Sequence, residues 1–181
     1  MSRYRITDEN GIYFTTHTIV EWAPVFKEEK YFKIITDSLR FCMKNKGLHV
    51  FGYVIMLNHF HLMAQTKDGV KFQDVMRDMK KFTSLAISRE LKKDNEKLLL
   101  HIFKNAAKHE RGARNFKIWQ NEYHPQIIYS AKVCRQKLEY MHNNPLRKGF
   151  VKNQECWFYS SARNYLLGKN DALPIELLEL L

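Results

Sequence analysis

His59 and His61, one phenylalanine apart in MLNHFHLMAQT (56–66), are the first residues of this sequence whose type and spacing suggest chemistry. On an extended strand successive side chains alternate faces. Both imidazoles therefore point one way with Met63 and Gln65, while Phe60, Leu62 and Ala64 point the other. Two residues of strand set their backbones about 6.6 Å apart, near enough for two Nε2 atoms to share one cation. Two ligands do not define a metal site, and two ordinary strand histidines would read the same way. A third donor and a group to activate must come from elsewhere. The stretch LEYMHNNPLRKG (138–149) offers candidates for both. Cys134, Leu138 and Met141 fall at i, i+4 and i+7 as the buried stripe of a helix. Tyr140 lies off that stripe, with Gln136, Lys137, Asn143 and Asn144 three and four residues away. A tyrosine on a polar helix face is placed to present its hydroxyl to a cleft.

The composition names a class of partner. Thirty Lys and Arg against nineteen Asp and Glu leave a formal charge of +11 and a sequence pI near 9.6. That excess is the footprint expected of a protein that meets a polyanion, nucleic acid above all. The 181 residues suffice for one substantial core, and 45% hydrophobic content is ordinary for a globular chain. No apolar run approaches the ~20 residues of a membrane-spanning helix. MSRYRITDENG lacks the apolar centre of a secretory signal. Cys42, Cys134 and Cys156 form no C-x-x-C pair and read as free thiols. A cytoplasmic protein away from membranes is the expectation.

The elements that must position these residues follow from periodicity. Residues 11–20, rich in β-branched and aromatic side chains, predict a first strand. Pro24 opens a helical pattern to about Asn45, with Phe32, Ile35, Leu39 and Cys42 at spacings of three and four. Residues 48–56 predict a second strand, linked by Leu57 and Asn58 to a third, and Lys67–Gly69 turns the chain. A long amphipathic helix is expected over about Phe72–Lys93, its apolar stripe Val75, Met79, Phe82, Ala86 and Leu91. Residues 92–117 read as a basic loop with a short helix. Residues 118–130 read as strand material interrupted at Pro125. The helix of Tyr140 should stop before Pro145. The aromatic tail WFYSSARNYL should pack back on the body. The order suits an α+β ferredoxin-like sandwich, an antiparallel sheet with helices packed on it.

NHFHL together with YMHNNPLRKGFV resembles the single-tyrosine HUH transposases, the IS200-like type, and their REP-associated tyrosine transposase branch in particular. The agreement continues in order through YFTTHTIV, RDMKKFTS, IWQNEYHP and WFYSSARNY, so it spans nearly the whole chain. It implies a single HUH endonuclease domain over 1–181, with a catalytic core at about 11–151 and a packed tail at 152–181. It further implies that His59 and His61 bind a divalent metal, with Mg or Mn favoured, and that Tyr140 is the nucleophile. The family's third ligand lies four residues after the tyrosine and is often Gln; Asn144, with a shorter reach, stands here. Leu57 stands where the family commonly has Pro.

The implied reaction is cleavage and rejoining of single-stranded DNA, hairpin-bearing in this branch, through a 5′-phosphotyrosine. Covalent catalysis conserves the bond energy, which agrees with the absence of a nucleotide-binding G-x-x-x-x-G-K-[ST] run. A tyrosine hydroxyl, with an ordinary pKa of about 10, is a poor nucleophile unaided, and a metal would polarise the phosphate. Lys80, Lys81, Lys108, Arg111, Arg114 and Arg147 are the candidate DNA contacts, each of which would make binding salt-dependent. His17, His49, His101, His109 and His124 show no ligand spacing and read as ordinary histidines. Two other readings stay open, an HUH nickase for replication or transfer and a non-catalytic single-stranded DNA- or RNA-binding module. A monomer and a homodimer are both left open.

Overall fold

Alternating hydrophobic and β-branched residues produce three strands early in the chain, and a helix separates the first two. In the computed structural model, which describes residues 10–108 and 115–179, these are β1 (Tyr13–Thr18), α1 (Glu29–Lys46), β2 (Leu48–Ile55) and β3 (His59–Thr66). There follow α2 (Phe72–Lys93), α3 (Lys97–Lys108), β4 (Gln126–Ile127), α4 (Ala131–His142), the single turn α5 (Asn144–Arg147) and α6 (Ala162–Leu167). The strands form one antiparallel sheet in the order β2-β3-β1-β4. That is the ferredoxin-like α+β arrangement.

The period-2 pattern of the strands sorts their side chains into two cores. On the back, Tyr13, Ile55, Phe60, Leu62 and Ala64 pack against Ile35 and Leu39 of α1 and Val75, Met76 and Met79 of α2. On the front, Phe14, Val54 and Met63 form a smaller cluster with Cys134, Leu138 and Met141 of α4. Gly52 lets α4 come this close: a Cβ there would stand 2.7 Å from Leu138 Cδ2 and 2.8 Å from Met141 Cε. It lies at the register shift between Val50 and Gly52, where a bulge turns β2. The front layer covers only part of the sheet and leaves the ends of β1 and β3 facing a cleft.

Helix ends tie the layers together. Gly47, at φ 63°, closes α1 with its N–H on the Cys42 carbonyl. Asp94, at the end of α2, accepts from Lys30 Nζ (2.6 Å) and from the Tyr31 hydroxyl, so both helices meet there. Ser130 caps α4 through a bond from the Val133 N–H (3.3 Å). The segment after α5 runs along β2: Ile55 N–H donates to Tyr159 O, and Ser161 N–H to Tyr53 O, both at 2.9 Å. Tyr159 stacks on Phe32 with ring centroids 4.2 Å apart.

Four sequence expectations change. Helix α1 begins at Glu29, because Ala23 before Pro24 and the cap Glu28 are both extended. Phe82 is 60% exposed, and the buried stripe of α2 passes instead through Met79, Thr83 and Ile87. Thr83 keeps its buried place because its Oγ1 accepts from Trp119 Nε1 (3.0 Å). Residues 97–108 are a full helix of three turns, with Leu99, Phe103 and Ala107 buried at i, i+4 and i+8. Residues 118–130 supply only a two-residue strand and the single bridge Ile19–Trp119. His124 at φ 42°, followed by Pro125, prevents a longer one.

Candidate active site

The antiparallel register of β1 and β3 sets the chemistry of the cleft. Thr18 lies opposite His59 and Thr16 opposite His61, all four on the front face. Both histidines are buried, held by Phe60 between them at 0% exposure in the back core. Their rings meet edge to face with centroids 4.9 Å apart. His61 Nδ1 pairs with Thr16 Oγ1 at 2.8 Å, and His59 Nδ1 donates to Asn58 Oδ1 at 2.7 Å. Asn58 Nδ2 is engaged with the Trp22 carbonyl at 3.1 Å, which fixes the amide and hence the Nδ1–H tautomer of His59. Burial lowers both basicities. His59 falls to about 4, helped by the Lys148 charge, and His61 to about 3, helped by His59 and Lys137. At neutral pH both rings are uncharged and keep a lone pair.

Helix α4 brings Tyr140 to the same place. Leu138 and Met141 are pulled into the front cluster, so Tyr140 faces outward at 42% exposure. Its ring lies 5.3 Å from His61 and 6.1 Å from Phe14. Pro145 ends α4, and the α5 turn begins on Asn144, which is 7% exposed and faces the cleft. Arg147 follows, its guanidinium 5.8 Å from the Tyr140 ring. The cleft holds about 600 Å³. Thr16, Thr18, His59 and His61 form its floor, and Tyr140, Asn144, Arg147 and Lys148 one wall. Trp22, Gln120, His124 and Gln126 form the other.

Two buried polar atoms of this cleft, His61 Nε2 and Asn144 Nδ2, have no hydrogen-bond partner. Unpartnered buried polar atoms are costly and rare, and a bound ligand is one standard reason for them. Among the described residues no group of three His, Cys, Asp or Glu could hold a metal, so any third protein donor near the two imidazoles must be of another type. An amide whose O and N are interchangeable by a flip is such a donor. The donor set of two neutral imidazoles and one amide therefore fits a divalent cation.

A family model described as IS200-like transposase matches residues 16–144, a span that includes both histidines, Tyr140 and Asn144. The chain belongs to the IS200-like transposase family. Its fold is that of a solved REP-associated tyrosine transposase bound to a REP hairpin, with a TM-score of 0.62 at 18% identity, covering 99% of this chain and 94% of that one. No curated protein matches the chain. No helix among the described residues is long and apolar enough to cross a membrane.

The remaining expected DNA contacts divide. Arg147 lines the cleft beside Tyr140. Lys81 is exposed on α2, and Lys108 is exposed at the end of α3. Lys80, expected on the exposed face of α2, is instead half-buried and donates to the Gln120 carbonyl at 2.6 Å. It braces the wall of the cleft. Arg111 and Arg114 lie outside the described residues. The sequence alone did not place Thr16, Thr18, Trp22, Gln120, His124, Gln126 or Lys148 at the cleft. The threonines carried a usable signal, because alternation on β1 puts them on one face. Their pairing with the histidines needed the register.

Proposed function

We propose that this chain cleaves and rejoins single-stranded DNA, with Tyr140 as the nucleophile and His59, His61 and Asn144 as the residues that hold a divalent cation, Mg²⁺ or Mn²⁺. The observation that carries the reading is the meeting of Tyr140 and the histidine pair in one cleft that contains two unpartnered buried polar atoms. A cation held there would supply charge that polarises the scissile phosphate.

The chain's own residues supply the rest. The Tyr140 Oη–P bond forms as the P–O3′ bond breaks. The phenolic proton goes to solvent, and the departing 3′ oxygen takes one up. The 5′-phosphotyrosine preserves the phosphodiester energy, so a 3′-hydroxyl returning to phosphorus restores a strand. Arg147 and Lys148 offer charge to the phosphates. Thr16 and Asn58 engage the two Nδ1 atoms and so fix the imidazoles, leaving Nε2 of each as the ligating atom. The hairpin in the solved relative supports a substrate with a hairpin beside its single-stranded segment. Residues 11–151 form the catalytic unit in this proposal, and the tail supports it through its bonds to β2.

Incubation with hairpin-bearing single-stranded oligonucleotides and Mg²⁺ or Mn²⁺ should yield a covalent protein–DNA adduct. The adduct should be lost in Tyr140→Phe and on addition of EDTA. Binding without an adduct for any such substrate would favour a non-catalytic nucleic-acid module. An adduct that persists in Tyr140→Phe would move the nucleophile elsewhere.

A further inference from the structure

Trp22 lines the cleft and belongs to neither hydrophobic core. The residue is 57% exposed, although Ile19 and Val20 just before it are buried. Its backbone is left-handed at φ 52°, and so is that of Glu21 at φ 54°. Two successive non-glycine residues in this region are unusual, and for a bulky side chain the conformation is strained. Surrounding bonds hold the turn: Trp22 N–H donates to Ile19 O (3.0 Å), and Val20 N–H donates to Ile118 O (2.9 Å). Asn58 Nδ2 donates to the Trp22 carbonyl, and Asn58 Oδ1 accepts from His59. One amide side chain thus sets both the position of Trp22 and the tautomer of the neighbouring imidazole. The indole meets the edge of His59 with centroids 5.9 Å apart.

The rings form a chain of contacts across the cleft floor. Trp22 touches His59, His59 touches His61, and His61 touches Tyr140, with centroid steps of 5.9, 4.9 and 5.3 Å. Trp22 and Tyr140 terminate that chain, each in contact with a different histidine. In a displacement at phosphorus the attacking and departing oxygens lie on opposite sides. With Tyr140 Oη attacking from one end, the nucleoside that departs with the 3′-hydroxyl lies toward the other. Arg147 and Lys148, on the facing wall, meet the phosphates. The Trp22 end offers a flat apolar ring, the complement of an unpaired base.

We infer that Trp22 is the stacking platform for the unpaired nucleobase immediately 5′ of the scissile phosphate. The inference rests on the proposed strand-cleavage function. It assigns to Trp22 the task of keeping the departing strand in place until rejoining, which a strained, pre-set ring performs without reordering on binding.

The test is a coupling measurement on the full chain. The cleavage position is first mapped from the wild-type adduct on a hairpin oligonucleotide. Oligonucleotides with a single abasic site at each flanking position are then titrated against Tyr140→Phe, with and without Trp22→Ala or Trp22→Phe. Expected is an affinity loss of about tenfold for the abasic site directly 5′ of the cleaved phosphate. That loss should vanish in Trp22→Ala, which is itself about tenfold weaker on the intact strand, and mostly persist in Trp22→Phe. Additive losses, or coupling at a position 3′ of the phosphate, would overturn the stacking role while the strand-cleavage reading stands. No binding to any oligonucleotide would sink both.

Discussion

His17 and His61 lie on neighbouring strands, on opposite faces of one sheet, and make a controlled pair. Both are buried, at 0% and 4% exposure. Each pairs through one ring nitrogen with a β1 threonine, His17 Nε2 with Thr15 Oγ1 at 3.0 Å and His61 Nδ1 with Thr16 Oγ1 at 2.8 Å. Each keeps its other nitrogen without a partner. Burial lowers the basicity of both. Their surroundings differ. His17 is stacked against Phe60 at 4.4 Å and Tyr123 at 5.4 Å, inside the apolar back layer. His61 looks into a cleft with His59, Tyr140 and Asn144. An unpartnered imidazole nitrogen is therefore not a ligand by its own chemistry. It becomes a candidate where the sheet face is left uncovered and other donors converge.

The largest effect should separate the two outright. His61→Ala should reduce adduct formation by more than about 100-fold, whereas His17→Ala should leave the adduct rate of folded protein unchanged. A divalent cation at a hundred times its dissociation constant should add about 2.7 kcal/mol of stability to the wild type and to His17→Ala, and almost none to His61→Ala. Equal cation stabilisation in all three would erase the distinction.

Acid should treat the two faces alike. His17, His59, His61 and His142 are all less basic folded than unfolded, each chiefly through burial. Between the ordinary histidine value of about 6.5 and their lowered values, reaching about 4 for His59 and His142 and about 3 for His61, the unfolded chain binds more protons. Stability is therefore full above that window and falls as pH drops through it, by up to about 1.4 kcal/mol per pH unit for each histidine. Urea midpoints from pH 7 to pH 4 would show the fall. His17→Phe should make it shallower by one histidine's share; an unchanged slope would mean that His17 is already accessible to protons.

Stability should single out His17 in turn. Its truncation to Ala opens a hole between Phe60 and Tyr123 and should cost about 2–4 kcal/mol in the denaturant midpoint. The threonines give the finest comparison. Thr16→Val should weaken cation binding or adduct formation by about 10- to 100-fold with little change in stability. Thr15→Val should change stability by about 1 kcal/mol and leave catalysis alone. Equal effects of the two would mean that Thr16 orients nothing.

Much of the fold was legible because its elements carry strong periods. The span Phe72–Lys93 matches the expected helix, and strands 48–55 and 59–66 match the apolar runs. Helix α3 was hidden by the charged residues around it, although Leu99, Phe103 and Ala107 carried its period. Phe82 was misplaced because a three-residue step from Met79 looked as good as the four-residue step to Thr83. Packing of α2 on distant parts of the chain, including the Trp119 indole 36 residues away, decides between them. At the candidate site, Tyr140, His59 and His61 were readable from their spacing and from the family resemblance. Trp22 was not, since its place in the cleft depends on a left-handed turn and a bond from Asn58.

The sequence by itself determined which face of each element is apolar, because periods of 2 and 3.6 are properties of the local backbone. It therefore determined that His59 and His61 share a face and that Tyr140 lies off the buried stripe of its helix. Tertiary structure alone decided that these two faces meet. The register of β1 on β3 put Thr16 behind His61, Gly52 let α4 settle on the front of the sheet, and incomplete coverage of that face left a cleft. Such outcomes depend on contacts between residues far apart in the chain, which no local period encodes.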